Sequence, residues 1–470
     1  MRYYAGLDWS ENLQDWAVMD ETGRHCKHGK IPLTPAGIAE LVEGLGRFLD
    51  PDTGEFPPLA IETGRGVLVS SLQSEGVTVH PVNPFVAKQY ATRKNVKGKK
   101  NDKADAFSLA SALRYDLADH RAAPCFTDQG RALTQMGRAH QDVLWKSLRH
   151  TNEVRSLLQE FWPHANTVFK PTDIAGKPEV RAVLAAWPDP TMAQHVTKTR
   201  LRKVLKDAGR SRYVERDVDL WFDALRVPAL HSPPMLEHAY GDHLRVLLAT
   251  LDTTAALEVA LRHQAITAMH AHPLAALVDT VPGLGGITAA RIIGEIGDDP
   301  RRFTSVKTLR AFAGTSPETR SSSTSSSTKR RHVKNNRVNH SAFLWAFNSL
   351  TASPGARAYY DNRRDGRTMQ GQPLKDKHAA ALRNISNVLI GAWWHCASTG
   401  EAWDERKVWP RFATTAQVPE PDERPDDALD ADDDLRRLLD AEQAVDTLLH
   451  PSSHTNNDDQ DADEPEDPFS

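Results

Sequence analysis

Tyr3-Tyr4-Ala5-Gly6-Leu7-Asp8 opens the chain as a short apolar run that ends on a carboxylate. Residues 3–9, 14–20 and 24–31 read as three strands, rich in Tyr, Trp, Val and Ile. The polar breaks Ser10-Glu11-Asn12 and Asp20-Glu21-Thr22-Gly23 separate them. Ile38, Leu41, Val42, Leu45 and Phe48 recur at helical spacing between Pro35 and Leu49. A strand over 58–62, a helix from about Val67 to Ser74 and a strand Val77-Thr78-Val79-His80 complete the series. Alternating strands and helices place this region in the α/β class.

Glu62 closes Leu59-Ala60-Ile61 as Asp8 closes the first run. Asp102 and Asp105 lie three apart in Lys100-Asn101-Asp102-Lys103-Ala104-Asp105-Ala106, which puts them on one face of a helix expected from Asp102 to about Leu117. Three strands, helix, strand, helix, strand is the order of an RNase H-like sheet, whose first strand is central and adjoins the fourth. A lone Asp at a strand end is ordinarily a turn or cap residue. The set Asp8, Glu62, Asp102 and Asp105 points instead to metal. Two-metal phosphodiester chemistry gathers carboxylates around cations ~3.5–4 Å apart, and all-oxygen donors suit Mg²⁺. The run before Asp102 carries Arg93, Lys94, Lys97, Lys99 and Lys100, suited to a phosphate backbone.

The total charge of -4 hides an asymmetry. From Glu420 onward 19 acids face 3 bases, a net of -16 that leaves +12 on everything before it. A basic body fits a nucleic-acid ligand. No apolar run approaches the ~18–20 residues of a membrane span, and the N-terminus enters a strand directly, unlike a signal peptide. Cys26, Cys125 and Cys396 are too scattered for a disulfide framework or zinc spacing. A cytoplasmic protein is expected, at 470 residues with two to four domains.

A long helix is expected from Asp128 to Phe161, ended by Trp162-Pro163, and another from Pro234 to Met269. Such a pair suggests an antiparallel hairpin or a dimer contact. Between them 165–235 is Pro-rich, basic around Lys198–Arg212, and reads as an irregular insertion. Residues 280–397 form another compact unit. An acidic tail begins after Trp409; Leu435, Leu438, Leu439, Val445, Leu448 and Leu449 allow one short amphipathic helix in it, and its last twenty residues read as disordered.

Val281-Pro282-Gly283-Leu284-Gly285-Gly286-Ile287 resembles a helix-hairpin-helix turn, in which Gly283 and Gly285 let backbone approach a phosphate at a helix N-terminus. Arg291, Arg301 and Arg302 add charge. Further on, Arg320 leads into the run Ser321 to Thr328, then Lys329-Arg330-Arg331, with Lys334 and Arg337 beyond. By itself a serine-rich run reads as a flexible linker. Beside phosphate-binding arginines, an activated serine hydroxyl could instead attack DNA and form a phosphoseryl bond.

Taken together, these motifs resemble the DEDD-type transposases of bacterial insertion-sequence family one-ten. The likeness is carried by Gly6-Leu7-Asp8, Ile61-Glu62-Thr63-Gly64 and Lys100 to Ala106, then by Pro282-Gly283-Leu284-Gly285, Ala313-Gly314 followed by Pro317 and a serine, and Asn336-Arg337. It covers roughly 1–160 and 275–400. The resemblance implies a RuvC-like domain over 1–125, a helical, coiled-coil-like oligomerisation region over 126–275 with the insertion at about 165–235, a mainly α transposase domain over 276–410 and an acidic tail over 411–470. It further implies Asp8, Glu62, Asp102 and Asp105 as Mg²⁺ ligands and a serine nucleophile from another subunit in one composite site. Donor and target DNA, a structured bridge RNA and a dimeric or tetrameric homo-oligomer are the implied partners, at the bacterial nucleoid. Counting from Pro317 places the nucleophile at Ser322; Ser323 stands where the family has glycine, so Ser321 and Ser323 stay open. Arg320, Lys329, Arg330, Arg331 and Arg337 join the expected nucleic-acid contacts. The rivals are a junction-resolving endonuclease using the acids and water, and a nucleic-acid-binding protein without catalysis.

Overall fold

The computed structural model describes residues 1–94, 102–124, 126–299, 302–321, 326–366 and 376–412. Lys97, Lys99, Lys100, Arg301, Ser322, Ser323 and the acidic tail with its expected helix lie outside the described residues. The chain divides into two compact units, Met1–Cys125 and Phe126–Ser470.

The first unit is a five-stranded sheet of order β3-β2-β1-β4-β5. β1 (Tyr3–Asp8), β2 (Leu13–Asp20) and β3 (His25–Pro32) form an antiparallel meander. β4 (Leu59–Ile61) and β5 (Val79–Pro81) add parallel to β1, three residues each and so shorter than their apolar runs suggest. Period-two alternation sends Ala5, Leu7, Trp16, Val18, Leu59 and Ile61 into one core. Leu41 and Leu45 of α1 (Pro35–Gly46) and Leu68 and Leu72 of α2 (Val67–Ser74) cover that face. Thr34 starts α1 by accepting from the Gly37 N–H at 3.2 Å, with Pro35 behind it. The opposite face carries the small side chains Ala17 and Ala60 and is covered by α3 (Pro84–Lys94) and α4 (Asp102–Asp116) through Ala87, Ala106, Leu109, Ala110 and Leu113.

In the second unit α5 (Asp128–Phe161) and α12 (Pro234–His270) pair antiparallel. His140 bonds Glu258 at 2.7 Å near one end, and the Phe161 and Tyr240 rings stack with centroids 4.9 Å apart near the other. The expected irregular insertion is instead a packed helical bundle. Its helices are α6 (Pro163–Val168), α7 (Pro171–Gly176), α8 (Pro178–Ala186), α9 (Pro190–Gln194), α10 (Lys198–Asp207) and α11 (Val214–Leu225). Trp162, Phe169, Trp187, Leu201 and Val218 share its core with α5 and α12. The prolines that suggested loops start helices: Pro163, Pro171, Pro178, Pro190 and Pro234 all stand in the first turn, where no N–H is needed. Its basic run is largely matched within the bundle, Lys198 by Asp219, Arg202 by Glu215 and Arg210 by Asp217.

The remainder packs α13 (Ala275–Val278), α14 (Gly286–Ile296), α15 (Val306–Ala313), α16 (Asn336–Ala352), α17 (Pro354–Asp365), α18 (His378–Thr399) and α19 (Glu405–Val408) around Ile292, Ile293, Leu344, Trp345, Leu389 and Trp393. From it rises one hairpin, β6 (Glu318–Ser321) with β7 (Ser326–Lys329). Among the described residues no helix is long and apolar enough to cross a membrane.

Candidate active site

Register and helix packing together place the acids. Leu7 of β1 lies opposite Ile61 of the parallel β4, so the next residues, Asp8 and Glu62, leave neighbouring strands at the same end. Gly6 and Ala60 face α4, and two residues on, Asp8 and Glu62 turn to that same side. α4 runs against β1 at backbone distance. A Cβ on Gly6 would overlap the Ala106 carbonyl oxygen and come within 2.5 Å of the Ala110 nitrogen. Ser111 Oγ lies 3.6 Å from Met19 Sδ, and Arg114 donates to the Glu21 carbonyl at 3.2 Å. Since β1 begins opposite Met19 and Asp20, the far end of α4, with Asp102 and Asp105, lies toward Asp8. Asp8 and Asp105 are half-buried and Glu62 is exposed. Among the described residues no three such side chains already stand at metal-binding spacing; the Asp102 side chain is not among those described. The donor set is all oxygen, with a helix of small residues above it, which fits a hard divalent cation.

One acid on this face escaped the sequence reading. Asp15 on β2 pairs in register with Asp8 and is buried. His28 Nε2 lies 3.0 Å from one of its oxygens and Lys30 Nζ 3.1 Å from the other, so both are occupied by β3. A single Asp inside a strand reads as solvent-facing; only the register with Asp8 gives it away.

The serine run forms no loose linker at its ends. Ser321 pairs with Ser326 and Glu318 with Lys329, so Ser322 to Ser325 join two strands. Arg320 lies on β6 opposite Ser327. Lys329 is exposed, Arg330 and Arg331 half-buried, at the foot of β7. Arg93 and Lys94 end α3.

The Asn-Arg motif is a clasp inside this unit. Asn335 caps α16, accepting from the Arg337 and Val338 N–H groups at 2.9 and 3.1 Å, while its amide donates to Glu295 at 2.9 Å. Arg138 holds both oxygens of the same carboxylate. Burial pushes the Glu295 carboxyl up, but the Arg138 guanidinium, with Asn335 and Arg337, outweighs this and holds it below the ordinary range. Arg337 donates to Asp142 at 2.6 Å and lies over the Trp145 ring, so its charge is matched within the protein.

The glycine turn is preceded by a four-residue helix, α13, so the first arm of the expected helix-hairpin-helix is very short. Gly283, with φ +71°, sits 2.8 Å, at its missing Cβ, from the Ser349 backbone nitrogen, which gives it a packing reason. Gly285 caps α14 with open space around it. Arg291 is buried against His140 and adds no surface charge, while Arg302 is half-buried and donates to the Glu295 carbonyl at the end of α14.

Residues 5–163 match the family described as "Transposase" (DEDD_Tnp_IS110), and 275–361 match "Transposase IS116/IS110/IS902 family". The mini-circle putative transposase for IS117 of Streptomyces coelicolor is 36% identical over 407 residues, 86% of this chain and 96% of the relative. An uncharacterized 43.6 kDa protein of insertion element IS110 from the same organism is 28% identical, over 65% of this chain and 73% of its own length. The putative transposase y4uE of Sinorhizobium fredii is 26% identical over 43% and 56%.

Proposed function

The chain belongs to the IS110 family of transposases, enzymes that cut and rejoin DNA, and from that premise we propose that its chemistry is shared between the acid face and the serine hairpin. The observation that carries this reading is the register of β1 with β4 beneath a helix at backbone contact, which turns Asp8, Glu62 and Asp105 to one side. In this reading Asp8, Glu62, Asp102 and Asp105 hold Mg²⁺. When bound, the metal supplies charge stabilisation for the attacking and leaving oxygens. A serine hydroxyl, Ser322 or a neighbour, attacks phosphorus. One P–O bond forms to Oγ and one to a sugar oxygen breaks, the serine proton ending on that oxygen. Attack by a sugar hydroxyl of another strand reverses the exchange and conserves the bond energy.

The first unit is RNase H-like in this reading, and the turn at Gly283 and Gly285 serves as a helix-hairpin-helix contact. Donor and target DNA and a structured bridge RNA are the partners, supported by the +12 charge before Glu420. The expected basic contacts, Arg93, Lys94, Lys97, Lys99, Lys100, Arg320, Lys329, Arg330 and Arg331, would grip backbone. The protein works as a homo-oligomer at the nucleoid. Mixing inactive chains tests the shared site: an Asp8→Asn chain and a Ser322→Ala chain, each unable to exchange strands, should recover exchange when co-assembled. Covalent DNA adducts should need the serine of one chain and the acids of the other. Adducts that persist in Ser322→Ala move the nucleophile along the run, and exchange by Asp8→Asn alone overturns the acid assignment.

A further inference from the structure

Lys334 stands between the serine hairpin and α16 and is half-buried. The Asn335 N–H donates to the Phe312 carbonyl at 2.7 Å, which draws the chain against the end of α15. There the Lys334 stem covers Gly314, at φ +69°; a Cβ on that glycine would come within 2.8 Å of the Lys334 Cβ. Lys334 Nζ donates to the Arg331 carbonyl at 3.1 Å. Arg331 Nε is itself buried and has no hydrogen-bond partner among the described residues. Burial, and then the charge of Arg330, pushes the Lys334 amine down to about 8.

Several other cations in this unit have carboxylates. Arg138 has Glu295, Arg181 has Asp252 and Arg363 has Asp376. Among the described residues none pairs with Lys334 or Arg331. A half-buried amine without a carboxylate and, three residues before it, an unsatisfied guanidinium N–H are each unfavourable until an anion arrives, and phosphate oxygens satisfy such groups through charge-assisted bonds.

We propose that Lys334 and Arg331 form a phosphate-binding pair at the foot of the hairpin, taking one backbone phosphate of a bound nucleic-acid strand. Three strand steps, about 10 Å, separate Lys329 from Ser326. That is about three nucleotide rises of 3.4 Å. The phosphate held therefore lies about three or more nucleotides along the strand from the one at the serine run, and the pair sets where the strand lies relative to that run.

The inference rests on the transposase reading in taking a nucleic acid as ligand, but its test needs no strand exchange. Full-length chain is titrated in EDTA, by fluorescence anisotropy, against a labelled DNA duplex and separately a labelled RNA hairpin over a series of salt concentrations. Lys334→Met keeps the stem on Gly314 and removes the charge. It should flatten the slope of log affinity against log salt by about 0.9 for duplex DNA, the value for one lost phosphate contact. Lys334→Arg should keep the slope. Flattening on DNA alone or on RNA alone assigns the source of the phosphate. Should Lys334→Met not fold, Arg331→Gln is read the same way. An unchanged slope on both nucleic acids in a folded variant overturns the proposal, leaving Lys334 as a cap on the Arg331 carbonyl. Loss of strand exchange in the Asp8→Asn chain, with its salt slope intact, would leave this result untouched.

Discussion

The sheet face that carries Asp8 and Glu62 lies at backbone contact under α4, which bears Asp105, whereas the serine run joins two four-residue strands. Strand ends fixed by a five-stranded register and an overlying helix have almost no freedom to drift. A two-stranded hairpin is marginal on its own. Its accuracy must come from its foot, where Gly314, Lys334 and Asn335 lock it to α15 and α16. In this molecule the acid face is placed by the sheet and the hairpin by its foot.

The contrast breaks first at Gly6. Gly6→Val would drive side-chain atoms into the Ala106 carbonyl, so α4 must retreat from β1. Overpacking of this kind costs typically 1–3 kcal/mol and more when backbone is the obstacle. We expect the first unit to lose its cooperative melt by circular dichroism, and Mn²⁺ binding by paramagnetic resonance to fall with it. Full metal affinity in this variant would mean that close approach does not hold the acids.

Glu295→Gln probes the other side. The carboxylate is almost fully buried while Arg138 is 27% exposed, so the loss should be about 2 kcal/mol, below the 3–5 kcal/mol of a fully buried broken pair. The urea midpoint reads it. Because the folded Glu295 carboxyl titrates below its ordinary range, its contribution is full above that range and disappears as pH falls through the folded value. The gap between wild type and variant should therefore close in acid.

Gly314→Ala should have the smallest global effect, roughly 1–2 kcal/mol for a left-handed backbone position with an occupied neighbour. Its local effect is sharper: tryptic cleavage at Lys329 to Arg331 should accelerate while the first unit stays resistant. Equal protection in both chains would show that the hairpin does not depend on its foot.

These regions also differed in how legible they were. Asp8 and Glu62 could be placed from a period of two and a strand order, both local signals, and α5 and α12 matched their apolar periodicity closely. The insertion was misread because proline marks both loop and helix start, and only the apolar residues behind each one, such as Val180, Val183 and Leu184, decide between them. Asp15 was missed because its partner His28 comes from another strand. The clasp of Glu295 by Arg138 and Asn335 joins residues 157 and 40 positions apart, which no spacing rule connects.

The stacking of Phe161 on Tyr240 has a consequence for how this chain can vary. The helical bundle between α5 and α12 is entered and left at neighbouring points, so the main path of the polypeptide crosses into it and back through one doorway. A segment hung in this way can be enlarged, trimmed or exchanged over generations without rerouting any other element. Length is negotiable there.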